Sequence, residues 1–138
     1  MKKILFCFCI LMVTAVLVNG QAADYKVVFD MSSRDTVNQQ AVIRELGLIM
    51  GGNPDARLEV VLYGQGLDLV MKDRSAQQST IQKLIAGNHV SFKVCALSMK
   101  RLNIEPSALI TGVETVPDGI YEIISKQHEG WGYIKVGH

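Results

Sequence analysis

Short apolar, mostly β-branched runs alternate along the chain with longer stretches whose apolar positions recur at helical spacing. Tyr25–Asp30 reads as a first strand. Asp35 then stands where a helix cap belongs, ahead of Val42, Leu46, Ile49 and Met50 at the i, i+4, i+7, i+8 spacing of one helix face. Gly51 and Gly52 stop that helix, and Asn53, Pro54 and Asp55 turn the chain. Arg57–Tyr63 is a second, nearly continuous apolar strand ended by Gly64, Gln65 and Gly66, and a short helical piece is expected over Leu67–Met71. Ser75 with Gln78 makes a capping-box pattern before Ile81, Leu84 and Ile85, closed by Gly87 and Asn88. Val90–Val94 forms a third strand that runs into Cys95. A short helix spans Ala96–Leu102 up to Asn103, and Pro106 opens another helical turn through Leu109. Val113–Val116 is a brief strand. Pro117 suits a first helical position, with Ile120, Ile123 and Ile124 on one face and Gly130 as the stop, and Trp131–Val136 is the last strand.

The order is βαβαβαβαβ, without internal repeats or a linker rich in Pro, Gly or Ser. Strands that are solid apolar runs between helices predict a three-layer α/β fold. Its five-stranded, mostly parallel sheet carries helices on both faces. In such sheets the ligand crevice lies beyond the carboxyl ends of the strands. That directs attention to the loops at Asp30–Arg34, Gly64–Gly66, Cys95–Ser98 and Pro117–Asp118.

Composition narrows the function classes. The chain has 138 residues, 49% hydrophobic and 20% charged, which suits one globular domain and excludes disordered or collagen-like classes. A formal net charge of +1 leaves no basic surplus for a phosphate backbone, so nucleic acid is not an expected partner. The first 22 residues stand apart from the rest: Lys2 and Lys3, an apolar run from Ile4 to Val18 broken only by Thr14, then Asn19, Gly20, Gln21 and Ala22. This is the layout of a signal peptide cleaved after Ala22 or Gly20. The run is shorter than the ~20 residues that span a bilayer, so no stable membrane span is expected after cleavage, a retained single-pass anchor being the alternative. Cys7 and Cys9 lack the small neighbouring residue of a lipid-attachment site. The expectation is thus a leader over 1–22 and one exported domain, periplasmic or secreted, over 23–138.

Cleavage leaves Cys95 as the single thiol and rules out an internal disulfide framework. Cys95 sits where an apolar strand ends and a helix begins. Unpaired amides of the first helical turn favour a thiolate at such a position. The alternative, a small buried hydrophobe, has equal standing on position alone. His89 starts the same strand, about 20 Å away at strand rise; His128 suits a helix C-terminus and His138 is terminal. A Cys–His hydrolase is unsupported, and no set of His, Cys, Asp and Glu has metal-ligand spacing. Gly64, Gln65 and Gly66 lack the third glycine of a dinucleotide fingerprint and read as a tight turn, so no cofactor is expected. Lys100 and Arg101 read as solvent-facing, and Trp131 with Tyr133 as core or interface packing.

From Tyr25 to Lys135 the chain resembles the DsrE/DsrF-like sulfur-relay family, in particular its stand-alone single-domain members. The similarity rests on Val94-Cys95, Gly112–Ile120, Glu122–Ile124 and above all Gln127–Lys135, with Val27–Asp30 and Glu59–Gly64 matching the first two strands. The resemblance implies a three-layer α/β fold and homo-oligomers, often trimers or hexamers. It also implies a cysteine, here Cys95, that accepts sulfane sulfur as a persulfide from a donor protein and passes it to an acceptor. On that reading the backbone amides of Ala96, Leu97 and Ser98 assist the sulfur, and Tyr63, Gly64 and Gly66 line the same crevice. Two other readings stay open. In one, Cys95 is inert in a non-catalytic module for ligand binding or assembly; in the other, the thiol is a redox sensor.

Overall fold

The computed structural model describes residues 24–137; the expected leader, with Cys7 and Cys9, lies outside the described residues. Strands β1 (Lys26–Met31), β2 (Arg57–Leu62), β3 (Val90–Cys95), β4 (Glu114–Val116) and β5 (Gly132–Val136) form one sheet in the order β4-β3-β2-β1-β5. Every pairing in it is parallel. The connections carry helices α1 (Thr36–Gly52), α2 (Gln78–Ala86), α3 (Ala96–Leu102) and α4 (Gly119–His128), with 3-10 segments at Gly64–Val70 and Pro106–Ala108.

The strand order explains how the layers are filled. From β1 to β4 the chain steps along the sheet in one direction, and α4 then carries it back to β5 on the far side of β1. Parallel crossovers are right-handed, so reversing the direction moves the crossover helix to the opposite face. One face therefore holds the main core. Phe29 and Met31 of β1, Leu58, Val60 and Leu62 of β2, and Phe92 and Val94 of β3 pack there against Val42 and Leu46 of α1, Ile81 of α2 and Met99 of α3. Each such side chain contributes about 1.5–3 kcal/mol by leaving water. On the other face only Val28, Val61 and Ile123 form an apolar cluster, flanked by Tyr63 and Trp131.

Several local expectations shift. Asp35 does cap α1, its carboxylate accepting from the Val37 amide at 2.8 Å. The capping box at Ser75 and Gln78 does not form: Ser75 Oγ accepts from the Gln77 amide at 3.1 Å, closing a local turn, and α2 starts only at Gln78. The helical piece after β2 begins earlier than Leu67, because Gly64–Gly66 are already its first 3-10 turn. Pro117 precedes α4 rather than opening it. Asp118 is the cap, accepting from the amides of Ile120 at 2.8 Å and Tyr121 at 3.4 Å, which satisfies two otherwise orphan donors. Of the three isoleucines on α4 only Ile123 is buried, and Ile120 and Ile124 stay half exposed. The stripe turned to the sheet runs through Gly119, Glu122, Ile123 and Lys126 instead, at i, i+3, i+4, i+7.

Candidate functional site

Strand alternation puts Ser91, Lys93 and Cys95 on the α4 face of β3, and register places Glu59, Val61 and Tyr63 beside them on β2. Cys95 is both the last residue of β3 and the N-cap of α3, with extended backbone at φ −69° and ψ 115°. Its side chain makes no N-cap hydrogen bond, but the amides of Gly119, Ser98 and Leu97 and the Ser98 hydroxyl are close enough to the sulfur to favour its anionic form. Burial acts to raise the thiol pKa, but these four donors outweigh it and the net direction is downward. The residue is 4% exposed yet lies shallow beneath the surface.

Two helix starts thus converge on one sulfur. The Gly64 amide donates to Ser98 Oγ at 2.9 Å, which leaves the Ser98 proton free to point at Cys95. Gly64 itself has φ +55°, a conformation that glycine adopts without strain. Gly119 brings α4 close: a Cβ there would lie 3.1 Å from the Cys95 Cβ, 3.3 Å from Val61 Cγ1 and 3.6 Å from the Tyr63 Cβ. The side chain missing at residue 119 is what lets its amide reach the sulfur.

The residues singled out from the sequence land unequally. Cys95, Leu97 and Ser98 meet at the sulfur, with Gly64 joined through Ser98. Leu97 contributes its amide alone, since its side chain is 60% exposed. Ala96 is not among the sulfur's donors. Gly66 is buried against the backbone of Met31 and Ser32 at the end of β1, where a side chain would collide, so its role is to close the turn. Lys100 and Arg101 are exposed, as the sequence suggests. Tyr63 leans the other way, its hydroxyl accepting from Lys135 Nζ at 3.2 Å.

That contact opens a second polar group along the same rim. Asp30, 6% exposed, accepts from Tyr133 Oη at 2.7 Å and from Lys135 Nζ at 2.9 Å, and Lys135 also donates to Ser32 Oγ at 3.0 Å. Burial works against the Lys135 charge, but the bonds to Asp30 and Tyr63 and the Asp30 charge raise its pKa overall. The bond to Asp30 likewise raises the Tyr133 pKa, since it is lost on ionisation. This network ties the carboxyl ends of β1, β2 and β5 together where the strand order reverses. The sequence pointed to Asp30 only as the start of the Asp30–Arg34 loop, and assigned no role to Gly119 or Lys135. Among the described residues no group of three or more His, Cys, Asp or Glu side chains could hold a metal ion.

A small, fully parallel α/β sheet with one thiol held between two helix starts at its carboxyl edge defines the class: a thiol-bearing α/β domain. The chain belongs to the DsrE/DsrF-like family, whose model matches residues 13–136. Among solved structures it is similar to the protein of unknown function MTH1491 from Methanobacterium thermoautotrophicum, with TM-score 0.76 and 29% identity over 81% of this chain and 99% of that one. It also resembles BT1422 from Bacteroides thetaiotaomicron, a conserved protein of unknown function (TM-score 0.69, 13% identity, 86% and 100% covered). A third likeness is to the ychN protein from E. coli (TM-score 0.64, 17% identity, 80% and 98% covered). At these last two identities the likeness shows the fold. No functionally curated protein matches the chain.

Proposed function

We propose that this DsrE/DsrF-like domain is a sulfur carrier that loads sulfane sulfur on Cys95. Family membership supports a sulfur-relay type of protein. The observation that carries the reading to Cys95 is its place at the junction of β3 and α3 with Gly119, the first residue of α4, packed on it; the donors around the thiol lower its pKa, which favours the anionic form that attacks and stores sulfur. In the loading step the Cys95 thiolate attacks the outer sulfur of a donor persulfide, R–S–SH. A new S–S bond forms, the donor S–S bond breaks with its electron pair leaving on R–S⁻, and the domain keeps the outer sulfur as a persulfide on Cys95. An acceptor thiolate reverses the sequence. Tyr63 and the Gly64 turn form the wall next to the sulfur, and the leader over residues 1–22 would direct the domain to an exported compartment.

The test is incubation of the full chain with a low-molecular-weight persulfide, followed by peptide mass spectrometry. The expected result is one added sulfur atom on the Cys95 peptide, lost on reduction and absent in Cys95→Ser. Absence of the adduct at every donor concentration refutes the carrier reading. A second reading, an assembly module with an inert thiol, is favoured by the low exposure of Cys95 and by Leu97, Ile120, Tyr121 and Ile124, four exposed apolar side chains on α3 and α4. It predicts a homo-oligomer by light scattering that dissociates in Ile120→Ser/Ile124→Ser, with no sulfur adduct.

A further inference from the structure

Glu59 lies in the middle of β2, beneath α4, and is 3% exposed. Its Oε2 accepts from Ser91 Oγ at 3.3 Å and faces Lys126 Nζ at 4.0 Å, while Oε1 has no hydrogen-bond partner among the described residues. Around it, α4 contributes Glu122, within hydrogen-bonding reach, and Lys126. β3 contributes Ser91 and, one pleat further, Lys93, whose ammonium pairs with Glu114 of β4. β1 places uncharged Val28 directly opposite, and the nearby Asp30 is occupied by Tyr133 and Lys135.

Lys126 is shared among three carboxylates, Glu59, Glu122 at 3.7 Å and Glu129 at 3.5 Å, and lies 5.0 Å from the Trp131 ring centroid. One ammonium cannot neutralise that set once Glu59 ionises. Burial pushes the Glu59 pKa up to about 7; Lys126 opposes the shift, the charge and hydrogen bond of Glu122 add to it, and Lys93 opposes it. A protonated Glu59 can instead donate to Glu122 and join β2 to the helix.

This matters because α4 covers the thiol. Its apolar seat is the small cluster of Val28, Val61 and Ile123 with Tyr63 and Trp131 at its edge, and its first residue, Gly119, packs directly on Cys95. Chemistry at the sulfur requires that first turn to move. We infer that Glu59 is a proton-operated latch on α4. With its proton it clamps the helix over Cys95; without it the helix lifts and uncovers the thiol. The inference rests on Cys95 being the working group of the carrier, and it assigns Glu59 as a positioning residue acting through α4.

The sign follows from linkage. Glu59 binds its proton more tightly under the seated helix than under a lifted one, where its pKa returns toward 4.5. Lifting is therefore favoured progressively as pH rises from about 4.5 to about 7, and is constant above that.

The experiment is hydrogen exchange of the full chain at several pH values, corrected for intrinsic exchange, with alkylation of Cys95 read in parallel by peptide mass spectrometry. In the wild type, protection of α4 should fall by up to ~10-fold per pH unit between about pH 5 and 7 and then level off. Protection of α1 should stay flat, and Cys95 alkylation should follow α4. In Glu59→Gln the protection of α4 should lose its pH dependence. Glu122→Gln, which removes the neighbouring charge, should end the fall at lower pH and serves as the test should Glu59→Gln not fold. A flat wild-type profile, the same slope in Glu59→Gln, an unmoved profile in Glu122→Gln, or α1 falling in step with α4 overturns the latch. A missing sulfur adduct with the α4 slope intact removes the carrier reading and leaves the latch; the reverse removes the latch alone.

Discussion

Gly119→Ala probes the point at which the two helix starts meet. The added methyl would lie 3.1 Å from the Cys95 Cβ, 3.3 Å from Val61 Cγ1 and 3.6 Å from the Tyr63 Cβ. Comfortable carbon contacts lie at about 3.5–4.0 Å, so the first turn of α4 must back away by a few tenths of an ångström. Overpacking of this kind costs ~1–3 kcal/mol, offset by up to ~1 kcal/mol of helix propensity gained over glycine. The net loss of stability is thus about 0–3 kcal/mol, less than the ~5–15 kcal/mol that holds a domain folded. The thiolate is affected more specifically. A hydrogen bond to a charged group contributes ~1.5–3 kcal/mol, and stretching it to half strength makes the thiolate ~1 kcal/mol harder to form. At pH below the midpoint that is about fivefold less thiolate. The assay is the pH profile of Cys95 alkylation, each profile normalised to its own plateau so that altered access does not mask altered ionisation, with urea unfolding alongside. Gly47→Ala on α1, where nothing lies within 4 Å of the new methyl, is the control and should leave the profile unchanged. A folded Gly119→Ala protein whose normalised profile overlays the wild type refutes the claim that the residue 119 amide holds the sulfur.

Two further outcomes follow from the caps and the rim. Asp118→Ala removes the acceptor for the Ile120 and Tyr121 amides, so α4 should fray at its start; thermal unfolding should show a loss of about 1 kcal/mol. Its normalised Cys95 profile should also move to higher pH, whereas a purely local cap would leave the thiol untouched. Asp30→Asn takes the charge from the carboxylate that Tyr133 and Lys135 share, and urea unfolding should register a loss of about 1–3 kcal/mol, reduced at the Lys135 end by its exposure. An unchanged unfolding midpoint would show that the rim network contributes nothing to holding β1 and β5 together.

The layout of the chain was legible because each strand is a short apolar run bounded by turn residues. The alternation of such runs with helical spacing has few structural solutions other than a covered parallel sheet. Cys95 was legible for the same reason, since it stands at the junction of an apolar run and a helical stretch. Gly119 was not. Its importance arises from α4 crossing back over β2 and β3, a consequence of the strand order, and Pro117, Asp118 and Gly119 show only a helix start. The extent of the isoleucine face on α4 was misread because spacing alone does not say how wide a stripe the partner surface covers. Glu59 did carry a signal: it is the one acid inside the otherwise apolar run Leu58–Leu62. A charged residue in a central strand buried on both faces needs a partner or a proton.

Strand parity joins these particulars. Along β3 the side chains of Phe92 and Val94 enter the main core with Val42, Ile43 and Leu46 of α1 and Ile81 of α2, while Ser91, Lys93 and Cys95 emerge on the face that α4 covers. A thiol one position earlier, at residue 94, would be surrounded by apolar carbon. Its pKa would be driven up by burial, and its exposure would require the core to open. At residue 95 the same sulfur meets the starts of α3 and α4, and uncovering it needs only the movement of one ten-residue helix seated on a small apolar cluster and a buried acid. The low exposure of Cys95 and its anion-stabilising surroundings are therefore compatible: the covering element rests on an apolar cluster separate from the main core.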